Sequence, residues 1–262
     1  MIYIIGGNGF VGSGIVRNCE KKGLEYAVVT RENCEELAKS PCHILINANG
    51  NSRKYMADRD PDWEFEASVG SVHRYLTMFS YDKYVQLSSC DVYPDCSDYA
   101  MTAEETVLEP ARQSTYGFHK YLAELCVMHF AKRWLILRMG GFVGPGMKKN
   151  AVFDILHGPQ LWLTEDSRLQ FISTDAAGDI ILRLALSDTF NQIFNLCGKG
   201  TVRIGDVKER AGSAVPVCHE AKEVLYEVNI DKLLELEEIQ STEKAVFDFV
   251  DRMTDHLRKE NQ

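Results

Sequence analysis

Tyr116 and Lys120 stand four residues apart in Tyr116-Gly117-Phe118-His119-Lys120. On a helix that spacing puts both side chains on one face. A phenol with an ordinary pKa near 10 is a poor base at neutral pH, but a neighbouring ammonium favours the phenolate. The pair is therefore suited to exchanging a proton with a substrate hydroxyl. Ser89, in Leu87-Ser88-Ser89-Cys90, closes an apolar run that reads as a strand. Ligands of parallel sheets bind beyond such strand ends, where its hydroxyl can hydrogen-bond a reacting oxygen.

Such a trio needs a partner. Gly6-Gly7-Asn8-Gly9-Phe10-Val11-Gly12 follows the apolar run Ile2-Tyr3-Ile4-Ile5 and leads into helical spacing from Phe10 to Lys22, which Gly23 ends. Glycines there let the backbone turn tightly and approach a pyrophosphate, and the helix N-terminus offers unpaired N–H groups. Gly6, Gly9, Phe10, Val11 and Gly12 are thus the expected dinucleotide cradle, with Lys120 holding the nicotinamide ribose and Tyr116 beside it. The second strand ends in Thr30-Arg31, with no Asp. A guanidinium can pair with a 2′-phosphate, so NADP is expected, NAD remaining possible because Glu32 can serve the ribose.

Strands are expected at Ile2–Ile5, Tyr26–Val29, Ile44–Ile46, Tyr84–Leu87, Trp134–Leu137 and Phe194–Leu196. Helices are expected at Phe10–Lys22, Glu32–Lys39, Trp63–Phe79 after the Asp60-Pro61 start signal, Ser114–Ala131, Asp175–Leu186 and Thr242–Leu257. The alternation predicts an α/β fold: a Rossmann-type doubly wound parallel sheet with a small C-terminal substrate-binding lobe. The dinucleotide-binding domain is expected over 1–145, with returning segments near 170–200, and a mixed, partly interwoven lobe over 146–262. Of the 262 residues 45% are hydrophobic and 26% charged, with net charge −9. That balance excludes a basic nucleic-acid track. Eight cysteines with no CxxC pair give no metal or redox motif. With no leader before Ile2 and no apolar run near the ~20 residues that span a bilayer, a cytoplasmic protein without membrane segments is expected.

These residues resemble the extended short-chain dehydrogenase/reductase family, which includes nucleotide-sugar epimerases, dehydratases and reductases. Gly6, Gly9 and Gly12 are similar to its Gly-x-x-Gly-x-x-Gly. Ser89-Cys90-Asp91-Val92-Tyr93 is similar to its Ser/Thr-x-x-Val-Tyr, and Tyr116 to Lys120 to its Tyr-x-x-x-Lys. Arg138 through Gly144-Pro145-Gly146, Phe171 to Ala177 and Ile193-Phe194-Asn195-Leu196 resemble further family segments. The resemblance implies a nucleotide-sugar substrate, hydride transfer to or from the nicotinamide, and Ser89, Tyr116 and Lys120 as catalytic residues. Family dehydratases carry Thr-x-Glu where this chain has Ser89 to Asp91, so Asp91 reads as a dehydratase-type base or as a loop cap. Likeness to the GDP-fucose synthase branch, which uses a loop cysteine, makes Cys90 either a proton carrier or a packed thiol.

Arg138 and Arg168 read as a bidentate clamp on a substrate pyrophosphate, Arg138 equally as an internal ion-pair partner. His119 reads as a helix-surface residue. Asn47-Ala48-Asn49-Gly50 replaces the usual Ala-Ala after the third strand, which makes Asn47, Ala48 and Asn49 cofactor or substrate contacts. Only about a dozen residues separate Arg31 from the Ile44 strand, so one strand-helix unit looks trimmed. Dimerisation through the helix after the third strand and the Tyr116 helix would fit the resemblance, and a non-catalytic dinucleotide sensor is the rival reading.

Overall fold

The structure, a computed structural model, describes residues 1–260. Buried apolar β1 (Ile2–Ile5) leads into α1 (Gly12–Lys22), which Gly23 ends at φ 63°. β2 (Tyr26–Val29), the single turn α2 (Cys34–Leu37) and β3 (Cys42–Asn47) follow. A helical segment then runs through α3 (Tyr55–Arg59), α4 (Pro61–Phe65) and α5 (Ser71–Met78), with a π turn at Glu66–Gly70 between the last two. β4 (Tyr81–Ser89), α6 (Thr115–Phe130) and β5 (Trp134–Met139) complete the first half.

After β6 (Gly141–Val143) come α7 (Ala151–His157), β7 (Leu161–Leu163), β8 (Arg168–Leu169) and β9 (Phe171–Ser173). The chain returns through α8 (Thr174–Leu186) and β10 (Gln192–Leu196). It closes with β11 (Val202–Arg203), α9 (Ile204–Ala211), β12 (Val217–Lys222), β13 (Leu225–Tyr226), α10 (Asp231–Leu234) and α11 (Thr242–Glu260).

The main sheet has the order β10-β5-β4-β3-β1-β2, with every pair parallel. It is the expected doubly wound Rossmann-type sheet. Its strands read as apolar runs because helices cover both faces. One face packs Ile4, Ile46, Val85 and Leu137 against Ile15 of α1 and Ile181 of α8. The other packs Tyr3, Leu45, Tyr84 and Ile136 against Leu76 of α5 and Val127 of α6. A separate core of Val152, Ile155, Leu161, Val207, Val246 and Val250 holds the smaller C-terminal body, whose strands form short two- and three-stranded sheets.

β2 is the sheet edge, so the unit that looked trimmed is missing: one turn of helix bridges β2 to β3 where a strand and helix were to be expected. The helix foreseen over Glu32–Lys39 shortens to α2. Asn33 explains this, since its side chain accepts from the Thr30 amide and donates to the Val28 carbonyl, turning the chain first. The long helix foreseen over Trp63–Phe79 starts as read, with Asp60 accepting from the Trp63 amide ahead of Pro61. Its middle widens into the π turn, a local change of period often found at functional sites.

α1 and α8 cross at glycines. A Cβ on Gly14 would run into the Thr174 carbonyl, and one on Gly178 would lie 2.5 Å from the Gly14 carbonyl oxygen. Among the described residues no helix is long and apolar enough to cross a membrane, and no cluster of His, Cys, Asp or Glu is disposed to hold a metal ion.

Candidate active site

A cavity of about 650 Å³ opens at the carboxyl ends of β1, β3, β4 and β5, where an open parallel sheet takes its ligands. One wall is the glycine turn. The Gly9 amide donates to the Gly6 carbonyl at 2.9 Å. Gly6 adopts φ +74°, and a Cβ there would lie 2.8 Å from the Ala48 carbonyl. Only glycine meets both demands. Gly12 packs behind the turn, where a Cβ would strike the Gly6 carbonyl oxygen, so α1 begins directly against the loop. Bare backbone at Gly6 and Gly9, flanked by Phe10, Val11, Ala48 and Asn49 and backed by a helix N-terminus, fits the pyrophosphate of a dinucleotide.

The facing wall carries Ser89, Tyr116 and Lys120. β4 delivers Ser89, and α6 delivers the other two. Ser114 caps α6 by accepting from the Gly117 amide at 3.1 Å. Gly117 lets α6 meet the end of β4, since a Cβ there would run into the Asp91 carbonyl oxygen. The Tyr116 hydroxyl donates to the Asn51 carbonyl at 3.1 Å. Lys120 Nζ lies 5.2 Å from the Tyr116 ring centre, over Gly50, where a Cβ would be only 2.8 Å away.

Burial pushes the Tyr116 phenol well above its ordinary pKa, the Asp91 and Glu64 charges add to that, and a hydrogen bond to Ser89 opposes it. Burial brings the Lys120 ammonium down to about 8, against the pull of Glu64 and Asp91. The sequence pattern suggested a lysine-stabilised phenolate. In the protein alone burial and the nearby carboxylates dominate, and the phenol is held above its ordinary pKa.

Ser89 Oγ donates to Asp91 Oδ2 at 2.9 Å and accepts from the Asp91 amide at 3.2 Å. The other Asp91 oxygen is gripped by Lys54 Nζ at 2.6 Å. Lys149, which also lines the cavity, donates to the Ser52 carbonyl. Residues 49–54 therefore form a strap over this wall, held by Tyr116, Asp91 and Lys149.

Residues 2–197 match a family described as the NAD-dependent epimerase/dehydratase family. The chain belongs to this family. Among solved structures, MoeE5 in complex with UDP-glucose and NAD superposes with a TM-score of 0.83 at 15% identity, covering 100% of this chain and 99% of that one. UDP-glucose 4-epimerase with UDP-glucose from Thermotoga maritima gives 0.77 at 18% identity, covering 100% and 99%. dTDP-4-dehydrorhamnose reductase from Bacillus anthracis in complex with NADP gives 0.78 at 15%, covering 95% and 97%. At such identities these likenesses show the fold. No curated protein sequence matches the chain.

Several expected site residues of this epimerase/dehydratase chain lie away from the cavity. Arg138 is 2% exposed, with Nη2 2.8 Å from Glu124 and Nη1 donating to the Tyr93 hydroxyl at 2.8 Å. It is an internal ion-pair partner and no substrate clamp. Arg168 is an exposed residue of β8 outside the cavity lining, so the second arm of that clamp is absent too. Cys90 is fully buried, its thiol donating to the Arg138 carbonyl at 3.2 Å and lying 3.8 Å from Cys197 Sγ. Burial raises its pKa well above the ordinary thiol value, so Cys90 is a packed thiol and no proton carrier. Asn47 is spent inside the sheet on Tyr84 and Gln86, and its oxygen holds the Asn49 amide at 3.1 Å. It shapes the loop that Ala48 and Asn49 present to the cavity.

Thr30 and Arg31 close β2 beyond the lining residues, Arg31 exposed to solvent. His119, read as a surface residue, is buried against Glu64. The sequence reading missed Lys54, Lys149 and Gly117. Only Gly117 left a signal, a glycine inside an otherwise strong helical pattern.

Proposed function

We propose that this protein is an NADP-linked oxidoreductase or epimerase acting on a nucleotide-activated sugar, with Tyr116 giving a proton to, or taking one from, the sugar oxygen. The observation that carries the reading is the meeting of Ser89, Tyr116 and Lys120 in one cavity with the Gly6–Val11 turn. The bound nicotinamide would supply the hydride acceptor or donor. Tyr116 holds its proton behind burial and nearby negative charge, which suits it to protonate the oxygen of a carbonyl under reduction. Ser89 orients that oxygen, and Lys120 lends positive charge to the phenol as the proton leaves.

Support for the nucleotide sugar comes from the UDP-glucose bound in two of the similar structures. For NADP it comes from Arg31 at the end of β2. Arg74 on α5 joins it, since both guanidiniums act on the neighbouring Tyr75 phenol. Two cations at that point suit a 2′-phosphate.

A panel of nucleotide sugars and their keto forms, each with NADPH and NADH, tests the reading on wild type and Tyr116→Phe. Loss of the phenolic proton should lower kcat by roughly 10²- to 10⁴-fold. Equal turnover by both proteins would refute the assignment. Tight NADPH binding with no turnover of any sugar would favour the sensor.

A further inference from the structure

Glu64 is 0% exposed and lies just ahead of the π turn. Acidic side chains are almost never so buried unless paired. Its partners are His119 Nδ1 on one oxygen and the Ser68 hydroxyl on the other. Ser68, within the π turn, reaches back four residues to do this. His119 is 7% exposed, stands between Tyr116 and Lys120 on α6, and meets the Phe65 ring edge-on at 5.4 Å. Among the described residues no lysine or arginine nitrogen forms an ion pair with Glu64, whereas the equally buried Glu124 has Arg138 and Asp91 has Lys54. The proton transfer of Ser89, Tyr116 and Lys120 does not itself call for this carboxylate.

Four charged or titratable groups surround Lys120: Tyr116 and His119 share its helix, and the charges of Asp91, at the end of β4, and Glu64, on α4, act on it. Asp91 is divided between Lys54 and Ser89. Glu64 is left as the carboxylate whose field meets Lys120 without a lysine or arginine to cancel it.

We propose that Glu64 is a positioning residue for the Tyr116–Lys120 pair: pinned by Ser68 and His119, it fixes the turn of α6 that carries both side chains and brings a carboxylate to the base of that turn. The inference rests on the reading that this pair is the reacting one. It assigns the π turn a purpose, because the turn carries the Ser68 hydroxyl that holds the carboxylate in place.

Lys120 can be titrated without substrate or cofactor. Brief acetylation with acetic anhydride across a pH series, read by mass spectrometry, gives the midpoint at which its amine becomes reactive. Glu64→Gln keeps the shape and can still bond His119 and Ser68 but removes the charge. It should raise the Lys120 acid dissociation constant about tenfold, as expected for losing one nearby charge in a partly screened site. The triple variant Glu64→Met/Ser68→Ala/His119→Leu removes the carboxylate together with both of its partners, so no member of the cluster is left unpaired; it guards against misfolding of the single variant and should shift the midpoint the same way. An unchanged midpoint in either folded variant overturns the proposal. If the midpoint shifts while Tyr116→Phe retains full turnover, the reaction assignment fails and the role of Glu64 stands.

Discussion

Arg138→Met separates two uses of a guanidinium. Arg138 gives Nε and Nη2 to Glu124 at 3.1 and 2.8 Å and Nη1 to the Tyr93 hydroxyl. Glu124 is 0% exposed and otherwise receives only the Ser88 hydroxyl, at 2.6 Å. Methionine fills the volume and leaves a buried carboxylate with one hydrogen bond. Breaking such a pair from one side costs about 3–5 kcal/mol. In a protein of this size each kcal/mol moves the melting temperature by roughly 2–4 °C, so a fall of about 6–20 °C is expected by circular dichroism. Arg138→Met/Glu124→Leu, with no orphaned charge, should recover most of that loss, since replacing a whole buried pair is often near neutral. The Michaelis constant of the folded single variant should stay close to wild type because Arg138 lies behind the cavity wall. A variant that melts like wild type but needs about tenfold more substrate would show that the guanidinium reaches the ligand, and the strut reading would fall.

The rate of reduction should decline as pH rises through about 8, where Lys120 gives up its proton; a flat profile from neutrality to pH 10 would contradict a charged Lys120. Lys83 donates to the Leu184, Ala185 and Ser187 carbonyls at the end of α8, and burial with Arg133 nearby brings it to about 8. Between that value and 10.5 the unfolded chain binds the proton more tightly than the folded one, so wild-type stability should rise with pH across this window. Lys83→Met should lose that increment, and denaturant melts of both proteins at the two ends of the window would reveal it. Gly117→Ala forces a Cβ onto the Asp91 carbonyl, so activity should fall by more than stability does; activity at the wild-type level would mean that α6 and the Asp91 loop can part at no cost.

The sheet was legible because its strands are apolar runs broken by glycine and separated by helical spacing. Ser89, Tyr116 and Lys120 were legible because each sits at a fixed place relative to those elements. Charge pairing across distant segments was not. Arg138 and Glu124 lie fourteen residues apart on different elements, and nothing in either neighbourhood marks the arginine as spent. His119 follows the same logic: helical spacing puts it beside Lys120, but its burial depends on Glu64 arriving from another helix. The π turn left no trace either, since Glu66 to Gly70 carries ordinary helix formers beside Ser68 and Gly70. The NADP expectation rested on Arg31 alone, and Arg74 became visible only when the fold brought Arg31 within electrostatic reach of Tyr75, the neighbour of Arg74 on α5.

Asp91 bears on which reaction the cavity supports. A dehydratase-type base must reach a carbon-bound proton with a free carboxylate oxygen. Here one oxygen is bonded to the Ser89 hydroxyl and the other to Lys54. Freeing either oxygen would release Ser89 or the strap. Asp91 is thus better placed to aim Ser89 than to abstract a proton. The Tyr116 hydroxyl, by contrast, donates to the Asn51 carbonyl, an acceptor that a substrate carbonyl oxygen can replace one for one, with Ser89 beside it. A phenolic proton that can pass to a substrate oxygen in this way fits the proposed reduction or epimerisation through a keto sugar.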